Sequence, residues 1–248
     1  MSRVPEPCWV AGVDGCPAGW LVVLRDVEGT EPPRACVVAT FAAVLCLPEQ
    51  PAIIAVDIPI GLAEHTSTGG RLADKVARSR LGDRRSSVFP VPARAAVMQT
   101  DYPTACSVAQ RHSKPSRKVS KQAFNIFPKI REVDDLMTPA LQSRVFECHP
   151  EVAFWVMNGQ TQLALAKKAR SDTGASGSGL RRDLLSANGF PATFIERQHF
   201  ARRTAGQDDF LDACVCAWSA ARILAGTALT FPDAPPLDAR GLRQEIRA

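Results

Sequence analysis

Apolar residues come in short, nearly continuous runs early in the chain and at helix-like intervals after it. Residues 9–14 and 20–25 are two such runs joined by Gly15, Pro17 and Gly19. Apolar runs around a Gly/Pro turn predict a β-hairpin. A polar turn at 28–33 leads to a third run at 35–39, and the short connection makes it an antiparallel strand. Residues 41–47 have helical character and stop at Pro48, and the fully apolar 52–56 follows, ending in Asp57. An apolar run after a helix predicts a parallel strand buried on both faces, with ligands expected outside its carboxyl end.

From 64 to about 120 the pattern weakens. A basic helix is predicted over 71–81, a proline-rich extended stretch over 84–94, a helix near 101–110, and a mobile basic loop over 112–121. Residues 121–136 read as a helix interrupted or restarted near Pro128, 144–149 as a strand closed by Pro150, and 151–157 as a short helix. The small-residue stretch 171–179 predicts a flexible loop, because it has no side chains with which to build a core. A helix over 180–187 stopped by Gly189, a last short strand at 193–195, the strongest helix at 207–225 and an extended tail after Phe231 complete the reading.

These elements predict an α/β fold: a mixed five-stranded sheet with three antiparallel strands first, helices on both faces, and a basic helical insertion over 62–120. Its 248 residues can bury one continuous core, so a single domain is expected. A content of 46% hydrophobic and 22% charged residues excludes global disorder. No apolar run approaches the roughly 20 residues that span a bilayer, and residues 1–7 lack a basic-then-apolar signal pattern, which together predict a cytoplasmic protein. Eight scattered cysteines with no CxxC pair favour reduced thiols over disulfides or zinc.

Charge changes the picture once it is mapped along the chain. Residues 71–131 hold 14 Lys/Arg against 3 Asp/Glu, a local net of +11 within a total of +5, which leaves −6 for the rest. A basic block beside an acidic constellation suits a polyanion held by one and worked on by the other. The plainer reading is a solvated basic face. Arg84, Arg85 and Arg94 are the candidates for bidentate contacts to backbone phosphates, and Lys121 and Lys129 could add point charges. With aromatics at only 6%, a stacking platform for single strands is not evident.

The acidic side is more specific. Asp14 ends the first apolar run, and a carboxylate buried there unpaired would cost several kcal/mol, so a metal, a basic partner or the turn's own N–H groups must neutralise it. Asp57 ends the parallel strand, and Glu147 lies in the strand before Pro150. Asp208, Asp209 and Asp212 open the strongest helix, where spacings of three and four let side chains share a face. Asp208 or Asp209 could instead cap that helix, whereas Asp212 lies too deep to be only a cap. Converging carboxylates call for a hard divalent cation, Mg²⁺ or Mn²⁺. Two such ions about 4 Å apart would clamp both oxygens of a phosphodiester displacement. Glu147, His149 and Glu151 form a second cluster, read either as a further ligand or base or as a polar strand end. Cys16 has no adjacent base to make it a nucleophile.

The pattern Gly12-Val-Asp-Gly15 followed by Gly19-Trp20, the strand ending at Asp57, and Asp209-Phe-Leu-Asp-Ala213 resembles the ribonuclease-H-like nucleases, in the style of RuvC-type resolvases. Together with Asp57-Ile-Pro-Ile-Gly61, Ser86-Ser-Val-Phe-Pro90, Ser120-Lys-Gln122, Pro128-Lys-Ile130, Glu147-Cys-His-Pro-Glu151 and Asp208-Asp-Phe-Leu-Asp-Ala213, it resembles the family called domain of unknown function 429, labelled predicted nucleases. The resemblance runs from about Val10 to Arg222. It implies Asp14 as the first-strand metal ligand, Asp57 as the acid ending the fourth strand, where resolvases favour the longer Glu, and Asp209 and Asp212 as the last-helix pair. The expectation is a metal-dependent nuclease acting on DNA or RNA, with Asp14, Asp57, Asp209, Asp212 and Glu147 at its centre. Two alternatives stand beside it: an actin-like or sugar-kinase-like nucleotide-binding protein, against which the chain shows no second Asp-Gly phosphate loop, and a non-catalytic nucleic-acid-binding protein of the same fold.

Overall fold

A computed structural model describes residues 6–165, 176–197 and 199–248. In chain order the main elements are β1 (Trp9–Cys16), β2 (Gly19–Asp26), β3 (Arg34–Val38), α1 (Phe41–Leu45), β4 (Ile53–Val56), α2 (Leu72–Arg80), α3 (Arg94–Val97), α4 (Tyr102–Arg111), α5 (Lys121–Leu136), β5 (Val145–Glu147), α6 (Pro150–Met157), α7 (Gly177–Ala187), α8 (Ala192–Glu196) and α9 (Gln207–Leu224). The fold is α/β, with a five-stranded mixed sheet in the order β3-β2-β1-β4-β5. The chain divides into two compact units, Met1–Asp57 with Cys148–Ala228 and Arg247–Ala248, and Ile58–Glu147 with Leu229–Ile246. The insertion expected over 62–120 falls within the second. No helix among the described residues is long and apolar enough to cross a membrane.

In the first unit, β1 pairs antiparallel with β2 and parallel with β4, as the apolar runs and the short hairpin require. Gly19 closes the hairpin at φ +132°, and a Cβ there would stand 2.3 Å from Val38 O. Its glycine therefore serves the approach of β3. Asp26 ends β2 and acts as a hub: its carboxylate accepts from the N–H groups of Cys8, Glu28, Thr30 and Glu31 and from the Thr30 hydroxyl. Burial pushes its pKa up, but these bonds outweigh that and hold it at about 2.

Helix α9 packs across β1, β2 and β4. The closest approach is at Gly12, where a Cβ would lie 2.0 Å from Ala217 N and 2.1 Å from Ala213 O. No side chain fits there, and Ala213 and Ala217 keep the facing side of the helix equally slim. Trp20, Phe41, Ile54 and Phe154 are fully buried in this unit.

The second unit packs α3, α4 and α5 against one another, with Phe127 and Ile130 fully buried. Arginines occupy part of its interior. Arg71 is 2% exposed and donates to Asp74, to Glu147 and to the carbonyls of Ile60 and Gly61. Arg94 binds Asp134, and at 2.6 Å Asp238, whose other bonds come from the N–H groups of Leu62, Arg240 and Leu242.

Five expectations need correction. Residues 84–87 of the stretch expected to be extended lie in the 3-10 helix Gly82–Ser87. Helix α5 runs unbroken through Pro128. Residues 193–195 lie in helix α8, not a strand. The tail is no loose extension, since Leu229–Ile246 belongs to the second unit and buries Asp238 and Glu245. Of the loop expected at 171–179, residues 171–175 lie outside the described residues, while Ser176 caps α7 by accepting from the Gly179 N–H. All eight cysteines are free thiols.

Candidate metal centre

The first unit brings three carboxylates together. Asp14 is near the end of β1, Asp57 follows β4 directly, and Asp212 lies in the second turn of α9. The parallel register sets Val13 opposite Val56, and the Asp57 N–H donates to Val13 O at 2.9 Å. That pairing puts the two aspartates side by side at the carboxyl ends of neighbouring parallel strands. The close approach of α9 at Gly12 supplies the third, because Asp212 immediately precedes the Ala213 carbonyl that fills the space over that glycine. One ligand oxygen from each of Asp14, Asp57 and Asp212 lies within 4.8 Å of the others, and all three residues are half-buried. Among the described residues no other trio of His, Cys, Asp or Glu meets this way.

These distances fit a hard cation. An octahedral ion with oxygens at about 2.1 Å sets adjacent ligands about 3 Å apart and opposite ones about 4.2 Å apart, and waters complete its shell. Burial pushes the Cys216 thiol well up, and Cys148, Asp57 and Asp14 push it further; burial and then Asp212 do the same to Cys214. The trio itself offers only carboxylate oxygens, a donor set that suits hard ions better than soft ones.

The other acids expected here have different duties. Asp209 stands outside the trio: its carboxylate turns back and accepts from the Gly206 N–H at 2.8 Å, sealing the start of α9. Asp208 shares that first turn, where negative charge favours the helix. Glu147 is spent within the second unit. Its two oxygens take Arg71 Nη2 at 2.6 Å and Nη1 at 2.8 Å, and the Ile60 N–H donates to it at 2.6 Å. Burial drives the Glu147 carboxyl upward while Arg71 pulls it down. Its geometry is that of a structural pair, not of a base or metal ligand. His149 occupies the N-cap position of α6, Glu151 pairs with Arg181, and Cys16 is buried at the end of β1.

The expected phosphate contacts divide likewise. Arg94 is committed to Asp134 and Asp238 and is withdrawn from that list. Arg84 and Arg85 lie in the 3-10 turn Gly82–Ser87, half-buried and exposed respectively. The Lys121 ammonium sits 4.7 Å from the centre of the Tyr102 ring, and Lys129 is half-buried on α5. Arg71, Asp74 and Asp238 escaped notice because their partners are remote in sequence; the Arg-x-x-Asp spacing at the start of α2 is the one local signal.

Compared with known proteins, residues 12–237 match the family described as a protein of unknown function (DUF429). No curated protein and no solved structure matches the chain.

Proposed function

The chain belongs to this DUF429 family, and from its own geometry we propose that it is a divalent-metal-dependent hydrolase of nucleic-acid phosphodiesters with a ribonuclease-H-like fold. The observation that carries the reading is the meeting of Asp14, Asp57 and Asp212 at the ends of two parallel strands and on one helix. Three antiparallel strands followed by a parallel β4, in the order β3-β2-β1-β4-β5, support the fold assignment.

Asp14, Asp57 and Asp212 would hold Mg²⁺ or Mn²⁺ through one oxygen each. Bound there, the cation would supply Lewis-acid activation of the phosphoryl group and of an attacking water. The aspartates set its position, and their half-burial leaves one side open to substrate. Gly12 keeps α9, and with it Asp212, at the required distance from Asp14. Polyanion binding is supported by cationic side chains of the second unit, Arg80, Arg84, Arg85 and Arg111, which form no ion pair among the described residues.

The test pairs Mn²⁺ calorimetry with cleavage of labelled single-stranded, duplex and branched DNA and RNA. Asp14→Asn is expected to abolish both Mn²⁺ binding and cleavage. Cleavage that survives Asp14→Asn undiminished, or a wild-type chain that binds no Mn²⁺, refutes the reading.

A further inference from the structure

The second unit contains a cavity of about 420 Å³, which borrows Pro90 and Ser120 from the sequence motifs and is otherwise built by residues outside them. Its polar lining is one-sided. Arg78, Arg117 and Lys118 line it, no carboxylate does, and none of the three forms an ion pair among the described residues. Three of its hydroxyls already use a lone pair: Ser67 accepts from Lys75, Ser113 from the Arg117 N–H at 2.9 Å, and Ser120 from the Ala123 N–H at 3.1 Å. Each therefore has its O–H proton to donate. The cavity offers donors and positive charge, so its ligand must bring acceptors and negative charge. The remaining wall is apolar, built by Pro90, Val91, Pro92, Ala109 and Val119.

Three cations match a phosphate monoester, whose charge is about −1.5 to −2 at neutral pH, better than a single carboxylate. The apolar wall asks for a body that is not covered in hydroxyls, as a plain sugar phosphate would be. The volume lies at the small end of ligand pockets, roughly 300–1000 Å³. We propose that this cavity binds a free mononucleotide, its phosphate among Arg78, Arg117, Lys118 and the serine hydroxyls and its base against the apolar wall. The inference rests on the second unit alone and does not depend on the acidic trio.

Calorimetry on the full chain tests it with adenosine 5′-monophosphate as the probe, adenosine as the dephosphorylated control, and a 5′-phosphorylated single-stranded oligonucleotide as the rival source of the same phosphate. The mononucleotide is expected to bind and adenosine not to. Arg117→Gln combined with Lys118→Gln, both exposed positions, is expected to weaken binding by about tenfold or more, with an unchanged circular dichroism spectrum and melting temperature. Arg78→Gln, on a different element, gives an independent variant with the same expected loss. The proposal is overturned if the monophosphate does not bind, if adenosine binds equally well, if the folded variants bind like the wild type, or if the oligonucleotide binds while the mononucleotide does not.

Discussion

Both units bring acidic side chains together, and they do so in opposite ways. In the first, Asp14, Asp57 and Asp212 meet one another, half-buried. In the second, Asp74 and Glu147 meet Arg71, while Asp134 and Asp238 meet Arg94, deep enough that Arg71 and Asp74 are almost without solvent contact. A buried carboxylate joined to an arginine is chemically closed: its lone pairs are taken by the guanidinium and by backbone N–H groups. Carboxylates gathered near one another repel, and a cation is one way to relieve that repulsion. The contrast separates acids held by arginine from acids held near one another more clearly than residue type or sequence spacing does.

The largest predicted effect breaks the closed side. Arg71→Met removes the cation between two buried carboxylates and should cost about 3–5 kcal/mol, read as a drop in the denaturant midpoint. The next tests the open side through the backbone: Gly12→Ala forces a Cβ into Ala213 and Ala217 of α9. We expect a loss of about 3 kcal/mol accompanied by weaker Mn²⁺ binding, because the displaced helix carries Asp212. A variant that kept full stability would show that α9 approaches β1 less closely than described.

Two smaller effects sharpen the comparison. Asp57→Asn should leave stability within about 1 kcal/mol of the wild type while abolishing Mn²⁺ binding, whereas Asp209→Ala should cost about 1 kcal/mol through the lost helix cap and leave Mn²⁺ binding intact. Equal loss of Mn²⁺ in both would return Asp209 to the metal centre. Asp26 supplies a third case, an acid satisfied by N–H groups instead of an arginine or a metal. Its folded pKa of about 2 lies below the ordinary carboxylate value, so its contribution is complete above about pH 4 and is lost as pH falls toward 2. Asp26→Asn should flatten the acid limb of a stability-versus-pH curve across that window.

The hairpin, β4 and α9 were legible because each is specified by a local apolar pattern, and Asp14, Asp57 and Asp212 were legible because each interrupts one. Asp209 misled because a spacing of three serves a shared helical face and a capping bond equally well. Residues 193–195 are Thr, Phe and Ile, a strand-like trio too short to show a period, and the surrounding chain makes them helical. The tail read as a terminal extension because charged residues such as Asp238 become core residues only when a distant arginine reaches them. The +11 of residues 71–131 likewise overstated the free positive charge, since Arg71 and Arg94 are neutralised by Glu147, Asp134 and Asp238 from outside that stretch.

The way the two units share the chain bears on synthesis. The first begins with β1 but lacks Asp212 and the helix over Gly12 until α9 has been made; the second begins at Ile58 but lacks Asp238 until residues 229–246 follow. Neither can close while a ribosome is still in the middle of the message. Both must wait, with their apolar strands and unmatched arginines exposed, and then finish almost together, so slow translation of the middle region should favour aggregation over early domain-by-domain folding.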